Sequence, residues 1–249
     1  MLRPIYLQPG DKVALISPSG VATKEQLDVA CSLLTSWELE PVPGQHVLSR
    51  HGRLAGTDKE RLHDLQTALD AEDIRAIWCM AGDYGMLRIV QEADYSIFQG
   101  NPKWVIGMND ITVLHSKLHS LGIESLHAFM PSDYNTTSPE VVTQLRNFLF
   151  GIISSYAIPA HPFNRPGIVE TEMIGGMLQW VHNLHDTCIE RNTRGTILFI
   201  EDPSNDLQRE SLLARIDFLF LLVFGLSFVI LIFFSLVVFR PDMCATISP

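Results

Sequence analysis

Asn101-Pro102-Lys103-Trp104-Val105-Ile106-Gly107-Met108-Asn109-Asp110-Ile111-Thr112 decides how the chain is read. The apolar run before Gly107 is too short for a helix and stops at a residue that favours a turn, so it is a strand candidate. From Asp110 to Leu121 the apolar positions Ile111, Leu114, Leu118 and Leu121 recur at helical spacing. A strand, a sharp turn and a helix in direct succession are the building unit of a parallel sheet, whose connections need crossover helices.

The same unit recurs on both sides. Upstream, the short apolar run Val13 to Ile16 ends at Ser17-Pro18-Ser19-Gly20, which reads as a buried strand and a turn. Thr23 with Gln26 has the form of a capping box, and Leu27, Ala30, Leu34 and Trp37 then share a helical face. Thr57 with Glu60 repeats the signal ahead of Leu62, Leu65 and Leu69. The strand Ala76-Ile77-Trp78-Cys79-Met80 follows, then the loop Ala81-Gly82-Asp83-Tyr84-Gly85. Downstream, Ser138 and Pro139 open a helix over 139–150 with Val142, Leu145 and Leu149 on one side. The expectation is an α/β domain with a largely parallel sheet over residues 1–150 and a Pro/Gly-rich linker over 151–170. A second, incomplete α/β unit over 171–216 would carry Gly175-Gly176 and the strand Ile197-Leu198-Phe199-Ile200.

Composition narrows the function classes. With 249 residues the chain can bury a substantial core without a disulfide or metal staple. A formal charge of -10 and the lack of any Lys/Arg cluster exclude nucleic acid as an expected partner. Cys31, Cys79, Cys188 and Cys244 form neither a CxxC pair nor a zinc pattern and are read as buried free thiols. The N-terminus MLRPIYLQPGDK reaches a charged turn before any long apolar run, so it is not read as a secretory signal peptide.

Function is sought where strands end, because open α/β sheets bind ligands at the carboxyl ends of their strands. Two glycine-bearing turns stand there, Gly82-Asp83-Tyr84-Gly85 and Gly107-Met108-Asn109-Asp110. Taken alone, each is equally an ordinary turn.

Taken together, the segments resemble the bacterial LD-carboxypeptidases, serine peptidases that trim murein peptides and include microcin-immunity-type relatives. The resemblance rests on Pro9-Gly10-Asp11-Lys12-Val13-Ala14-Leu15-Ile16-Ser17-Pro18-Ser19-Gly20, on the stretch from Ala55 to Leu65, and on the loop 81–85 where the family has Arg-Gly-Gly-Tyr-Gly. It rests also on Gly107 to Thr112, where the family has Gly-x-Ser-Asp-Ile-Thr. The resemblance implies a flavodoxin-like or amidotransferase-like parallel sheet in the N-terminal domain, a catalytic second domain, and no cofactor or metal. It further implies a serine that attacks the amide before a terminal D-alanine, a histidine base and an orienting glutamate. On this sequence the serine's position holds Asn109, Glu201 takes the orienting acid's place, and backbone N–H groups of Gly82 or Asp83 and of Asp110 are the oxyanion candidates.

The departures decide the functional expectation. A carboxamide has no ionisable proton to give up and is a poor nucleophile, so no acyl-enzyme is expected at Asn109. Ser116 and Ser125 lie off the turn and are poor substitutes. No histidine follows Glu201, where the family keeps its base, and His127 matches a structural or substrate-lining position. Ala81 stands where the family has arginine and Met177 where it has asparagine. The expected protein is therefore a truncated, inactive homologue. An active peptidase and a non-catalytic peptide-binding remnant are the alternatives.

The tail breaks the pattern. Residues 218–239 form an uncharged apolar run that as a helix would be about 33 Å long, enough to cross a hydrocarbon core of roughly 30 Å. A membrane anchor, a frameshifted or fused end and an unusual buried helix are the three readings of this segment, called here an apolar, transmembrane-like helix over 217–240. Expected partners are a murein-derived peptide, a second copy of the chain by family resemblance, and a membrane through 218–239. Localisation is expected to be cytoplasmic, with membrane anchoring as the variant.

Overall fold

Thr23 and Thr57 open the first two helices, and each does so by reciprocal capping. In the computed structural model Thr23 accepts from the Gln26 amide at 3.2 Å while the Gln26 side chain accepts from the Thr23 amide at 2.8 Å. Thr57 and Glu60 repeat the exchange, so four otherwise orphaned donors are satisfied in the two boxes. The structure describes residues 1–152, 167–185, 187–190, 192–201, 228–231 and 244–247.

Strand and helix alternate through the first part of the chain. They run β1 (Lys12–Ile16), α1 (Lys24–Ser36), β2 (Glu40–Pro43), α2 (Asp58–Asp70), β3 (Ile74–Cys79), α3 (Met86–Ile89), α4 (Ser96–Gly100), β4 (Trp104–Gly107), α5 (Ile111–Ser120) and β5 (Leu126–His127). A 3-10 turn, Pro131–Thr136, and α6, Pro139–Leu149, follow. The five strands form one sheet in the order β2-β1-β3-β4-β5, every neighbouring pair parallel.

The sheet is buried on both faces, which is why its strands read as continuous apolar runs. Ala14, Ile16, Ile77, Cys79 and Val105 point to one side and pack with Leu65 and Leu69 of α2 and Leu114 and Leu118 of α5. The alternate residues Val13, Leu15, Ala76, Trp78, Trp104 and Ile106 point to the other and meet Leu27 and Leu34 of α1 and Leu145 and Leu149 of α6. Lys103 is buried just before β4, and its ammonium donates to the Leu69 carbonyl at 2.7 Å, closing the last turn of α2. Burial pulls its pKa below the usual lysine range.

Smaller sheets follow. β6 (Gly167–Glu170) occupies the end of the stretch read as a linker, and after it come β7 (Met173–Met177), α7 (Leu178–Asn183), β8 (Ile197–Glu201), β9 (Phe228–Leu231) and β10 (Cys244–Ile247). β7, β8 and β9 form a parallel three-stranded sheet, and β10 pairs antiparallel with β6.

β9 corrects the reading of the tail. Phe228–Leu231 lies inside the apolar run and pairs with β8 from Ile197↔Phe228 to Ile200↔Leu231. A backbone that makes its hydrogen bonds to a neighbouring strand cannot belong to one continuous helix, whose bonds are made within itself. The helix over 217–240 is therefore not formed as expected, and membrane association through 218–239 and membrane-anchored localisation fall with it. Among the described residues no helix is long and apolar enough to cross a membrane. The remainder of the run lies outside the described residues.

The thiols also differ from expectation. Cys79 is buried in β3, Cys31 is half-buried on α1 and Cys188 is exposed. Burial drives the Cys79 thiol far above its ordinary range.

Candidate functional site

β4 ends at Gly107 and α5 begins at Ile111, so the chain turns sharply through Met108, Asn109 and Asp110. Asn109 takes up the turn with φ of 60°, a left-handed conformation that asparagine tolerates better than most residues. Its side chain is fixed from outside the sheet, because the Trp180 indole on α7 donates to Asn109 Oδ1 at 3.1 Å. Trp180 is buried and meets the exposed Tyr84 ring at 6.1 Å, so two aromatic side chains flank the elbow. Gly82, from the loop after β3, passes directly against it: a Cβ there would lie 2.7 Å from the Asn109 Cβ. The sequence-derived pair Asn109 and Gly82 is thus brought together.

Asp110 and Asp83 point their side chains elsewhere. Asp110 is fully buried, and its Oδ2 accepts from the Ser19 hydroxyl at 2.6 Å and from the Met86 amide at 3.0 Å. It therefore ties the loop after β1 and the start of α3 to the elbow. Burial pushes its pKa up to about 6, the two hydrogen bonds acting in the opposite direction. Asp83, at φ of 114°, turns outward to an exposed pairing with Arg53 at 2.7 Å. Arg61 supports both loops from below, its buried guanidinium donating to the carbonyls of Pro18 at 2.5 Å and Gly85 at 3.0 Å. Arg88, just after the loop, does not reach toward Asn109; it chelates Asp58 at 2.9 and 3.0 Å and lowers that carboxyl's pKa.

Glu201 belongs to a second cluster. It ends β8, and its Oε2 accepts from Nε2 of His127 at 2.8 Å, with both side chains buried. A carboxylate only accepts, so His127 carries its proton on Nε2. The His127 ring packs against Phe199 at 5.5 Å and His115 at 6.0 Å. His115 in turn bonds the Gly107 carbonyl at 2.9 Å and Ser125 at 2.8 Å. Ser125, weighed above as a substitute nucleophile, is thereby held in a buried pair beneath the sheet end, and Ser116 is also buried.

Two links join the clusters. Gly107 of β4 is registered with His127 of β5, and the Met177 amide, opposite Glu201 in the β7–β8 register, donates to Thr112 Oγ1 at 3.2 Å. Asp133 adds a third carboxyl near this end; burial raises its pKa and the Glu201 charge adds to the rise. Ser19, Trp180, Asp133 and the engagement of His127 were not found by sequence reasoning. Trp180 follows Gly175-Gly176 by four residues and carries no motif that marks it.

The loops that follow β1, β3 and β4 meet at the carboxyl ends of these strands, where open α/β sheets bind ligands, with the Tyr84 and Trp180 rings beside them. The arrangement places a carboxamide where a strand-to-helix elbow commonly presents a nucleophile.

Comparison with known proteins gives the family context. Residues 13–128 match the family model of the LD-carboxypeptidase N-terminal domain. A Bacillus subtilis protein named as a probable murein peptide carboxypeptidase is 32% identical over 206 residues, which are 80% of this chain and 65% of that protein. A Streptomyces coelicolor protein named as a putative carboxypeptidase is 32% identical over 221 residues, 84% of this chain and 70% of its own length. The chain thus spans about two thirds of the length of these relatives. Among solved structures, the microcin C7 self-immunity protein MccF superposes with a TM-score of 0.79 at 23% identity, over 93% of this chain and 80% of that one. The muramoyltetrapeptide carboxypeptidase of Oxalobacter formigenes gives 0.71 at 24%, over 83% and 71%. These likenesses concern the fold.

Proposed function

Because the chain belongs to the LD-carboxypeptidase family, we propose that it presents that family's peptide crevice without its covalent chemistry, as an inactive relative that holds a murein-derived peptide. The observation that carries this reading is Asn109. It sits on the β4–α5 elbow at φ of 60°, in line with the family's Gly-x-Ser-Asp-Ile-Thr turn, and its carboxamide is held by Trp180. A carboxamide there cannot form an acyl-enzyme. Binding needs less: the close passage of Gly82, the backbone amides of Asp83 and Asp110 and the Tyr84–Trp180 rings can receive an extended peptide end.

The second support is Glu201. As the orienting acid of the family's arrangement it would hold a base, and in this chain its carboxylate is occupied by His127, buried beside Phe199. An imidazole placed there orients the sheet end and has no exposed face from which to take a proton from an attacking group. The strand order β2-β1-β3-β4-β5 supports reading the first 150 residues as a flavodoxin-like, amidotransferase-like domain, with residues 171–201 as part of a second.

Calorimetric titration of the purified chain with the murein tetrapeptide ending in D-alanine tests the reading. Saturable binding that weakens at least about tenfold on Trp180→Ala is expected. Absence of any binding to tetrapeptide or tripeptide would remove the peptide-holding part of the proposal.

A further inference from the structure

Asp64 lies in the middle of α2 as a buried carboxylate, 4% exposed, and among the described residues no lysine or arginine pairs with it. Its Oδ2 accepts from the His46 amide at 2.8 Å, and its Oδ1 lies 3.4 Å from Nδ1 of His63. A carboxylate withdrawn from water with one backbone donor and one distant imidazole is poorly compensated. The connection after β2 is nevertheless drawn tightly onto it. At Gly44 a Cβ would fall 2.4 Å from Asp64 Oδ2, so only glycine permits this approach. The rings of His46 and His63 stand edge to face at 5.4 Å. One ligand atom from each of His46, His63 and Asp64 lies within 4.8 Å of the other two. Glu60 Oε1 is 3.7 Å from His46 Nδ1 and adds negative charge on the outer side.

We propose that His46, His63 and Asp64 bind one divalent transition-metal ion of the zinc class, which fastens the connection between β2 and α2 onto α2. Two imidazoles and a carboxylate suit borderline ions such as Zn2+, whereas Mg2+ and Ca2+ prefer all-oxygen shells. Three protein ligands leave a position for water. The His63 side chain is 54% exposed, so the ion enters from solvent and the ring is free to turn toward it. The ligands come from two pieces of chain: His46 from the loop, His63 and Asp64 from the helix. An ion between them strengthens a junction that the His46 amide bond to Asp64, the His46–His63 ring contact and the approach of Glu60 to His46 already begin. It also supplies the positive charge that Asp64 lacks. The site is separate from the elbow at Asn109 and stands whether or not a peptide binds there.

Titration of the full chain with ZnCl2, by calorimetry and by thermal denaturation, tests the proposal. One equivalent binds, and the melting temperature rises with Zn2+ as binding to the folded state requires. His63→Gln and His46→Gln each remove one of three ligands, weaken binding at least about tenfold and reduce the rise in step. His51→Gln, a neighbouring histidine outside the set, leaves both unchanged, and MgCl2 has no effect. Circular dichroism confirms that the variants are folded, since both rings are at least partly exposed. Absence of binding, binding that survives both ligand variants, or an equal loss in His51→Gln would overturn the proposal.

Discussion

The elbow at Asn109 and the strand end at Glu201 are built by opposite means. The elbow is assembled from loops that follow neighbouring strands of one sheet: Ser19 after β1, Gly82 after β3 and Asp110 after β4. Each is placed by its own strand, and backbone packs on backbone. Glu201 depends on His127, a residue 74 positions earlier in a different sheet. The strands of a single sheet place the first construction, whereas the second exists only once two sheets have docked.

That difference can be broken from the Glu201 side first, where the effect should be largest. Glu201→Ala leaves the buried His127 without its acceptor, and stranding a buried hydrogen-bond donor costs up to about 3 kcal/mol. Urea denaturation should show it, accompanied by faster proteolysis in the segments after residue 150 while the five-stranded sheet stays protected. A loss under about 0.5 kcal/mol would mean that the pair does not hold the sheets together.

On the elbow side, Asp110 makes stability depend on pH. Its folded pKa of about 6 lies above the ordinary aspartate value of 3.8, so the folded state binds the proton more tightly than the unfolded one. Stability from this group is fully present below about pH 4 and is lost as pH rises through 6, a loss of about 3 kcal/mol. Asp110→Asn keeps an acceptor for Ser19 and Met86 but does not titrate. Measured against the unmodified chain, the variant should gain about 3 kcal/mol between pH 4 and pH 7; a constant difference over that range would contradict the burial argument.

The smallest effect sharpens the contrast. Thr57→Ala removes one capping box at the start of α2 and should cost about 1 kcal/mol by thermal denaturation, without changing the Glu201 side. Equal protection loss in both regions would show that the two are one cooperative unit.

The same contrast explains what could be read in the sequence. Capping at Thr23, Thr57 and Ser138, and the spacing of Ile111, Leu114 and Leu118, are local signals, and the corresponding helices formed where expected. The alternation of Trp104, Val105 and Ile106 across a doubly covered sheet is likewise local. The run over 218–239 reads as a spanning helix because hydropathy alone does not distinguish an apolar strand from one; β9 pairs with β8 inside it. His127 reads as a strand end but not as the partner of Glu201, because no periodicity encodes a partner in another sheet. Trp180 carried no motif and acquired its role only when α7 came to lie beside the elbow. Asp110 was read through its amide, yet its carboxyl is the group that binds the loops together.

On the proposed reading the crevice lacks covalent chemistry twice over, because Asn109 offers no nucleophile and Glu201 is engaged by His127. Release of D-alanine from the murein tetrapeptide, followed for the unmodified chain, for Asn109→Ser and for Glu201→Ala, decides between this reading and an active peptidase. No release above the uncatalysed rate is predicted for any of the three, because a serine alone would find Glu201 already engaged by His127. Turnover by the unmodified chain that disappears on Glu201→Ala would contradict the account.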